Sequence, residues 1–300
     1  MRHAVQILNR KQNYLYKIYV IFERKKYIAV NILLPHPALR HLIKVYVHND
    51  IDFSNPNARN FYYFTPTHKK FIMFYLNNSV KVTFSDNRTE LKKDMIIIGP
   101  QTKPVSLEFE DKHRMIAIEL SPASQFYLLG GLPIHEVINE SIDGASFFGS
   151  RVTELIEKLS ETYCLEVIQK ELDHFFLGLL VKIKSPEKID QLFNIISPES
   201  SISELACSAG VSTRHFERIC KEKLGMSPKL YLKVGRFSTA YRHKVLYPEK
   251  TWTEIAYTCG YYDQMHLIRN FRELTDLTPG GIEQIINRQH RDYTNYNISE

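Results

Sequence analysis

The sequence predicts a two-domain α+β chain: an antiparallel β-sandwich or small barrel with trailing helices, then an all-α domain carrying a double helix-turn-helix. Three observations predict it. From Phe61 to Leu120 the residues group into short runs rich in β-branched and aromatic side chains. From Ser121 onward apolar residues recur at three- and four-residue steps. In the last third one signature occurs twice, about fifty residues apart. Three hundred residues fit two such domains, each large enough to bury its own core.

The first thirty residues differ from the rest, being basic, Tyr- and Ile-rich and without turn signals. They hold seven cations (Arg2, Arg10, Lys11, Lys17, Arg24, Lys25, Lys26) against one acid, Glu23. The whole chain carries +6, so the remaining 270 residues sum to about zero. Three readings fit residues 1–30: a strand-like surface arm, a basic tail touching DNA, or a stretch translated from a start upstream of the natural one. The compact domain is expected to begin near Asn31-Ile32-Leu33-Leu34-Pro35.

Strands are predicted at Phe61–Phe64, Lys70–Leu76, Val80–Phe84, Met95–Ile98, Val105–Phe109 and Arg114–Leu120. Several alternate, as in Val80-Lys81-Val82-Thr83-Phe84, which is the period of a half-buried strand. Turn chemistry falls between them at Asn77-Asn78, Ser85-Asp86-Asn87 and Gly99-Pro100. The rings of Phe61, Tyr62, Tyr63, Phe64, Phe71, Phe74 and Tyr75 read as core. Ser121-Pro122 then starts a helical stretch, an N-cap followed by Pro at the first helical position. Helices are predicted over Ser150–Tyr163 and Glu166–Lys184, with a polar break at 184–188. A short helix near Ile189–Ile196 leads to a second break, Ser197–Ser201.

The repeated signature begins there. Glu204-Leu205-Ala206 matches Glu254-Ile255-Ala256, and Gly210 matches Gly260, at an offset of 50. After one extra residue in the second turn, Phe216 matches Leu267, Gly225 matches Asp276 and Ser227-Pro228 matches Thr278-Pro279, at an offset of 51. Ser203 and Thr253 sit at or beside the start of each first helix. Gly210 and Gly260 occupy the turns, where a left-handed backbone suits glycine. Second helices follow at about Ser212–Leu224 and Tyr262–Leu274. Phe216, Ile219 and Cys220, then Leu267, Ile268 and Phe271, pack inward at helical spacing. Ser212, Thr213, Arg214, Glu217, Arg218 and Lys221 face outward in the first copy. Asp263, Gln264, Met265, His266, Arg269 and Arg272 do so in the second. Such side chains reach base edges and phosphates from a helix in the major groove. Ser197–Gly281 holds twelve basic and nine acidic residues, so the pattern carries this reading more than net charge does. Between the copies a helix from Ser227-Pro228 to Tyr247-Pro248 makes a rod of roughly 30 Å, comparable to the 34–36 Å of one DNA turn. Gly235 inside it is expected to pack against a neighbouring helix.

The segment from about Ser197 to Ile286 resembles the AraC-type regulator module. The carriers are A-x-x-x-G in the first copy, S-P-K-x-Y-L-x-x-x-R-F in the link, and G-Y-Y-D-Q-x-H-x-I-R-x-F-R-x-x-T-x-L-T-P in the second copy. The resemblance implies sequence-specific transcriptional control through two recognition helices. By position it makes Arg214, Glu217 and Arg218 base readers, with Gln264, Met265, His266 and Arg269 as counterparts; Lys221 and Arg272 would hold phosphate. The chain departs from the family at Asp276, where glycine usually ends the helix, at Leu267 for Phe, and at Met265 for a small polar residue. The N-terminal segment resembles the cupin-like domains found ahead of such modules, through Pro35–Leu42, the strand block, Gly99-Pro100-Gln101 and Ile118–Pro122. It implies ligand sensing, dimerisation or both.

The resulting organisation is a basic extension (1–30), a cupin-like effector or dimerisation domain (31–184), a linker (185–201) and a double helix-turn-helix domain (202–290). The expected partners are double-stranded DNA, RNA polymerase, a small-molecule effector and a second copy of the chain. No cofactor, metal or enzymatic activity is expected. His68 and His113 are isolated, and no nucleophile elbow or phosphate-cradling loop occurs. The alkyl-transfer DNA-repair variant of the family needs a zinc-bound cysteine cluster, and residues 1–163 contain no cysteine. Cys207, Cys220 and Cys259 read as buried free thiols suited to a reducing cytoplasm. No apolar run reaches the roughly 18 residues of a membrane span. The competing readings are a ligand-independent DNA binder whose β domain only dimerises, and a cupin-like enzyme with a DNA-binding tail.

Overall fold

A computed structural model describes residues 6–7, 15–21, 27–53, 60–181, 183–184, 186–197 and 200–288. Among them ten strands form one antiparallel sheet. They are β1 (Gln6–Ile7), β2 (Leu15–Ile21), β3 (Tyr27–Leu33), β4 (Ile43–Asp52), β5 (Phe61–Phe64), β6 (Lys70–Phe84), β7 (Thr89–Ile98), β8 (Val105–Phe109) and β9 (Lys112–Leu120), with β10 (Ser141–Asp143) after helix α1 (Ser124–Leu128). The path runs β1-β2-β3-β4-β9-β6-β7-β10, and β8 joins β6 to β5. Strands β2 and β3 pair from Leu15↔Leu33 to Ile21↔Tyr27, so part of the basic extension is sheet backbone. Its charged side chains lie outside the described residues.

Strand β6 is one element of 15 residues where the sequence predicts two. Its first half pairs with β9 and its second with β8, and its register to β7 breaks between Tyr75 and Val80. Asn77 makes that break tolerable. Its amide donates to the Lys112 carbonyl at 3.1 Å and accepts from the Arg114 N–H at 2.8 Å, standing in for ladder bonds. The asparagine pair that reads as a turn is therefore a bulge.

The sheet is buried on both faces with the period of two. Phe71, Met73 and Tyr75 join Val45, Val47 and Phe109 in an inner core. Ile72, Phe74 and Leu76 point the other way, onto trailing helices α2 (Gly144–Phe148), α3 (Ser150–Glu161) and α4 (Leu165–Leu180), through Val152, Leu155, Leu172 and Phe176. The predicted aromatic core thus divides. Tyr62, Phe64, Phe71 and Tyr75 line an apolar pocket with Met73 and Met115, whereas Phe74 faces the helices and Phe61 is exposed.

Two buried histidines of this domain have no hydrogen-bond partner on either ring nitrogen among the described residues. Burial pushes His48 on β4 and His113 on β9 down to about 4, from an ordinary value near 6.5. The folded domain therefore binds fewer protons than the unfolded chain across that interval, and stability present above pH 6.5 is lost as pH falls toward 4. His113 lies between the Phe109 and Tyr75 rings, at 4.7 and 5.6 Å. We expect the thermal midpoint to fall between pH 6.5 and 4, and His113→Phe to flatten part of that fall. An unchanged acid limb in the variant would remove His113 as a cause.

The C-terminal domain comprises α5 (Lys188–Phe193), α6 (Ile202–Ser208), α7 (Thr213–Leu224), α8 (Pro228–Leu246), α9 (Trp252–Thr258), α10 (Gln264–Thr275) and α11 (Pro279–Arg288). Helix α5 lies inside the segment read as linker, and its Phe193 packs on Phe216 of α7 at 6.3 Å. Cys220 and Cys259 are buried, but Cys207 is exposed, on the outer side of α6. Among the described residues no helix is long and apolar enough to cross a membrane, and no three His, Cys, Asp or Glu are grouped to hold a metal ion.

Candidate nucleic-acid interface

The two helix-turn-helix copies are built to the same plan. Helices α6 and α9 each have seven residues, and α7 and α10 each have twelve. Ser203 and Thr253 are the second residues of the first helices, whose N-caps are Ser201 and Thr251. Thr251 and Glu254 complete a reciprocal capping box. The turn glycines Gly210 and Gly260 take φ of 68° and 71°. Ser212 accepts from the His215 N–H at 3.2 Å, and Asp263 from the His266 N–H at 2.6 Å. These two predicted DNA contacts are therefore helix caps, one side-chain oxygen of each being used on the backbone.

The inward faces are tightly closed. Phe216, Cys220 and Leu224 are buried on α7, as are Leu267, Phe271 and Leu274 on α10; Ile268 is only half-buried. On the outward faces Thr213, Arg214, Glu217, Arg218 and Lys221 are exposed, as are Gln264, Met265, Arg269 and Arg272. Arg218 lies 3.3 Å from Glu222 and 3.2 Å from the His215 ring, exposed contacts that hold it weakly. Gln264 accepts from the Thr253 hydroxyl at 3.1 Å. His266 is half-buried with its ring edge-on to Tyr261. Burial and the neighbouring Arg236 lower its pKa, so it is the least available of the predicted readers.

Helix α8 connects the copies. Ser227 caps it and Pro228 occupies its first turn. Its 19 residues span about 28 Å at 1.5 Å per residue. Phe237 lies 4.6 Å from Phe271 of α10, and Arg236 donates to the Gly260 carbonyl at 3.2 Å. Buried Lys244 closes the far end, donating to the Pro248 and Lys250 carbonyls and pairing with Glu283 at 3.0 Å. Gly235 meets no helix. A Cβ there would stand 3.5 Å from the His68 ring of the sheet domain, so the close approach is between domains.

The last turn of α7 is where the domains join. Lys70 of β6, fully buried, donates to the Leu224 carbonyl at 2.7 Å. That carbonyl is one of the unpaired acceptors at a helix C-terminus. Burial lowers Lys70 to about 7. Lys223, also buried, donates to the Tyr127 hydroxyl at 2.8 Å, Glu187 at 3.0 Å and Asp190 at 2.9 Å. Burial opposes its charge, but these three bonds outweigh it and raise the Lys223 pKa. Gly225 has φ of 80°, and a Cβ on it would lie 2.4 Å from Pro100. The equivalent Asp276 adopts the same left-handed conformation at 61°. It points a carboxylate 3.6 Å from Lys103. Glycine is thus required at the first position by the domain contact and is dispensable at the second.

Comparison with known proteins places these helices. The family described as a helix-turn-helix domain matches residues 205–284. The HTH-type transcriptional activator RhaS of Klebsiella pneumoniae is 25% identical over 173 residues, 52% of this chain and 59% of that protein. RhaS of Yersinia pestis is 34% identical over 91 residues, 30% of this chain and 33% of that protein. The chain therefore spans between a third and three fifths of the length of these relatives. ToxT of Vibrio cholerae is similar in structure with a TM-score of 0.46 and 13% identity, over 80% of this chain and 98% of that one.

Proposed function

We propose that this chain, whose C-terminal domain is an AraC-type helix-turn-helix domain, is a sequence-specific DNA-binding transcriptional regulator acting in the cytoplasm under a small-molecule effector. One observation carries the reading. Two twelve-residue helices with matched caps present exposed cations and are joined through a single 19-residue helix, α8. A stiff spacer of that length sets two helices into successive major grooves on one face of the duplex. Footprinting on genomic fragments retained by the protein tests it: two protected grooves one turn apart are expected, and a single protected groove per subunit refutes it.

The effector would occupy the apolar pocket of the sheet domain, lined mostly by aromatic and aliphatic side chains as small-molecule sites are. Phe71 lines that pocket and also the polar cleft between Thr67, His68 and Ser238 at the domain joint. Its neighbour Lys70 holds the end of α7. A ligand that shifts β6 therefore biases how the first recognition helix is held, a population shift between domain arrangements. A second copy of the chain and RNA polymerase complete the proposed assembly on the promoter.

Within the interface, Arg218 and Arg269 are assigned to bases and Lys221 and Arg272 to phosphate. Arg218→Ala or Arg269→Ala is expected to cost about 1–3 kcal/mol on the cognate site and relax preference at one base. Lys221→Ala should weaken binding to all sequences alike and lower the salt slope by about one. Equal, sequence-blind losses in salt titrations of both classes would show that the division is wrong.

A further inference from the structure

We infer that the two recognition helices read half-sites of different base composition, guanine at the step met by Arg214 on α7 and thymine at the corresponding step met by Met265 on α10. The inference rests on the reading of α7 and α10 as DNA readers and specifies what each one takes. The N-caps Ser212 and Asp263 and the left-handed C-caps Gly225 and Asp276 fix one register, so each residue of α7 corresponds to the α10 residue 51 positions on. In that register Arg218 matches Arg269, Lys221 matches Arg272 and Glu222 matches Glu273. The charged pattern of the later turns is thus common to both helices. The first two turns differ: Thr213, Arg214 and Glu217 become Gln264, Met265 and Ile268. A recognition helix of this kind meets base edges with its N-terminal residues, so the chain varies the leading readers and keeps the Arg218/Arg269 reader and the phosphate anchors.

The physical character of that end follows. Arg214 is exposed, and among the described residues no acid or hydrogen-bond acceptor pairs with it. Its planar fork fits the O6 and N7 acceptors of guanine. Met265 holds the same position and is 58% exposed, while Leu267, Phe271 and Leu274 of the same helix are buried. Just before the cap of that helix, the single residue inserted into the second turn is Tyr262, 88% exposed. A large apolar side chain and an aromatic ring left in water at the entrance of a reading helix call for an apolar partner in the groove. The thymine C5-methyl is the apolar group that the major groove offers. Gln264 agrees with this choice. Its amide oxygen is engaged by Thr253, which leaves the NH2 to donate to an acceptor such as thymine O4 or adenine N7.

The test begins by selecting sites from random duplex DNA with the full-length protein, then altering single atoms in the best site. Replacing the thymine opposite Met265 by uracil removes one methyl. It should weaken wild type about fourfold, the worth of one buried methyl group, and leave Met265→Ala unaffected. Replacing the guanine opposite Arg214 by 7-deazaguanine should weaken wild type about fivefold or more and leave Arg214→Ala unaffected. Repeating the selection with Met265→Arg should bring guanine into the α10 half-site. Both residues are on the surface, so the variants fold. Two identical half-sites from wild type would overturn the inference. So would an α10 half-site unchanged by Met265→Arg while Arg269→Ala still lowers affinity. Retention of no DNA at all would instead overturn the regulator reading on which this one stands.

Discussion

Asp190→Ala is expected to destabilise the folded chain by about 3–5 kcal/mol, the cost of leaving a buried charge without its partner. Lys223 and Asp190 are 4% and 6% exposed, in contact at 2.9 Å. Removing the carboxylate leaves the ammonium with the Tyr127 hydroxyl and Glu187, and Glu187 has a largely exposed side chain. Denaturant unfolding followed by Trp252 fluorescence measures this, since the chain has one tryptophan and it lies in the second helix-turn-helix. The matched control is Lys223→Met with Asp190→Leu. An apolar pair of similar volume should recover most of the loss, because both desolvation penalties vanish together. If Asp190→Ala costs under about 1 kcal/mol, the range of an exposed ion pair, the cluster is open to water and does not join the domains. If the double variant is as unstable as the single one, packing rather than charge holds that corner.

This joint is also where sequence reasoning stopped. The double helix-turn-helix was legible because its signals are local. A cap, a turn glycine and an inward aromatic each act within a few residues, and repetition at a fixed offset marks them as one design. The strand block was legible for the same reason, though Asn77 shows how a turn residue can serve a bulge instead. Lys70 and Lys223 carry no such mark. A lysine in an apolar strand run or on a helix reads as solvated until the chain is folded and a carbonyl or carboxylate from another domain reaches it. Gly225 and Asp276 make the same point. They are equivalent by register, yet Pro100 stands against the first, and nothing within that copy says so. Strand β4 was missed because its polar residues His48, Asn49 and Asp50 interrupt the alternation; two of these three are buried by packing from strands distant in sequence. The pocket lining could not be separated from ordinary core, since Phe71 and Phe74 differ only in which face of β6 they occupy.

Inserting five base pairs between the two half-sites is expected to reduce affinity by roughly 10²–10⁴-fold, as at least two base readers at about 1–3 kcal/mol each lose their contacts together. Five pairs turn the second groove to the far side of the duplex. A ten-pair insertion discriminates more sharply, because it restores the face and lengthens the span by about one turn, 34 Å. Two heads on a flexible tether would recover there. These heads cannot, since the α8 strut is about 28 Å long and continuous from Pro228 to Leu246. It is also tied to the second copy, by Phe237 at its middle against Phe271 and by the Lys244 contacts to the turn that follows its last residues. Fluorescence anisotropy on a spacer series measures the effect at constant salt, which matters because phosphate contacts alone shift affinity with ionic strength. Recovery at ten added pairs would show that α8 bends or unfolds on DNA. An unchanged affinity at five would show that one head suffices, and the paired grooves would then have no part in recognition.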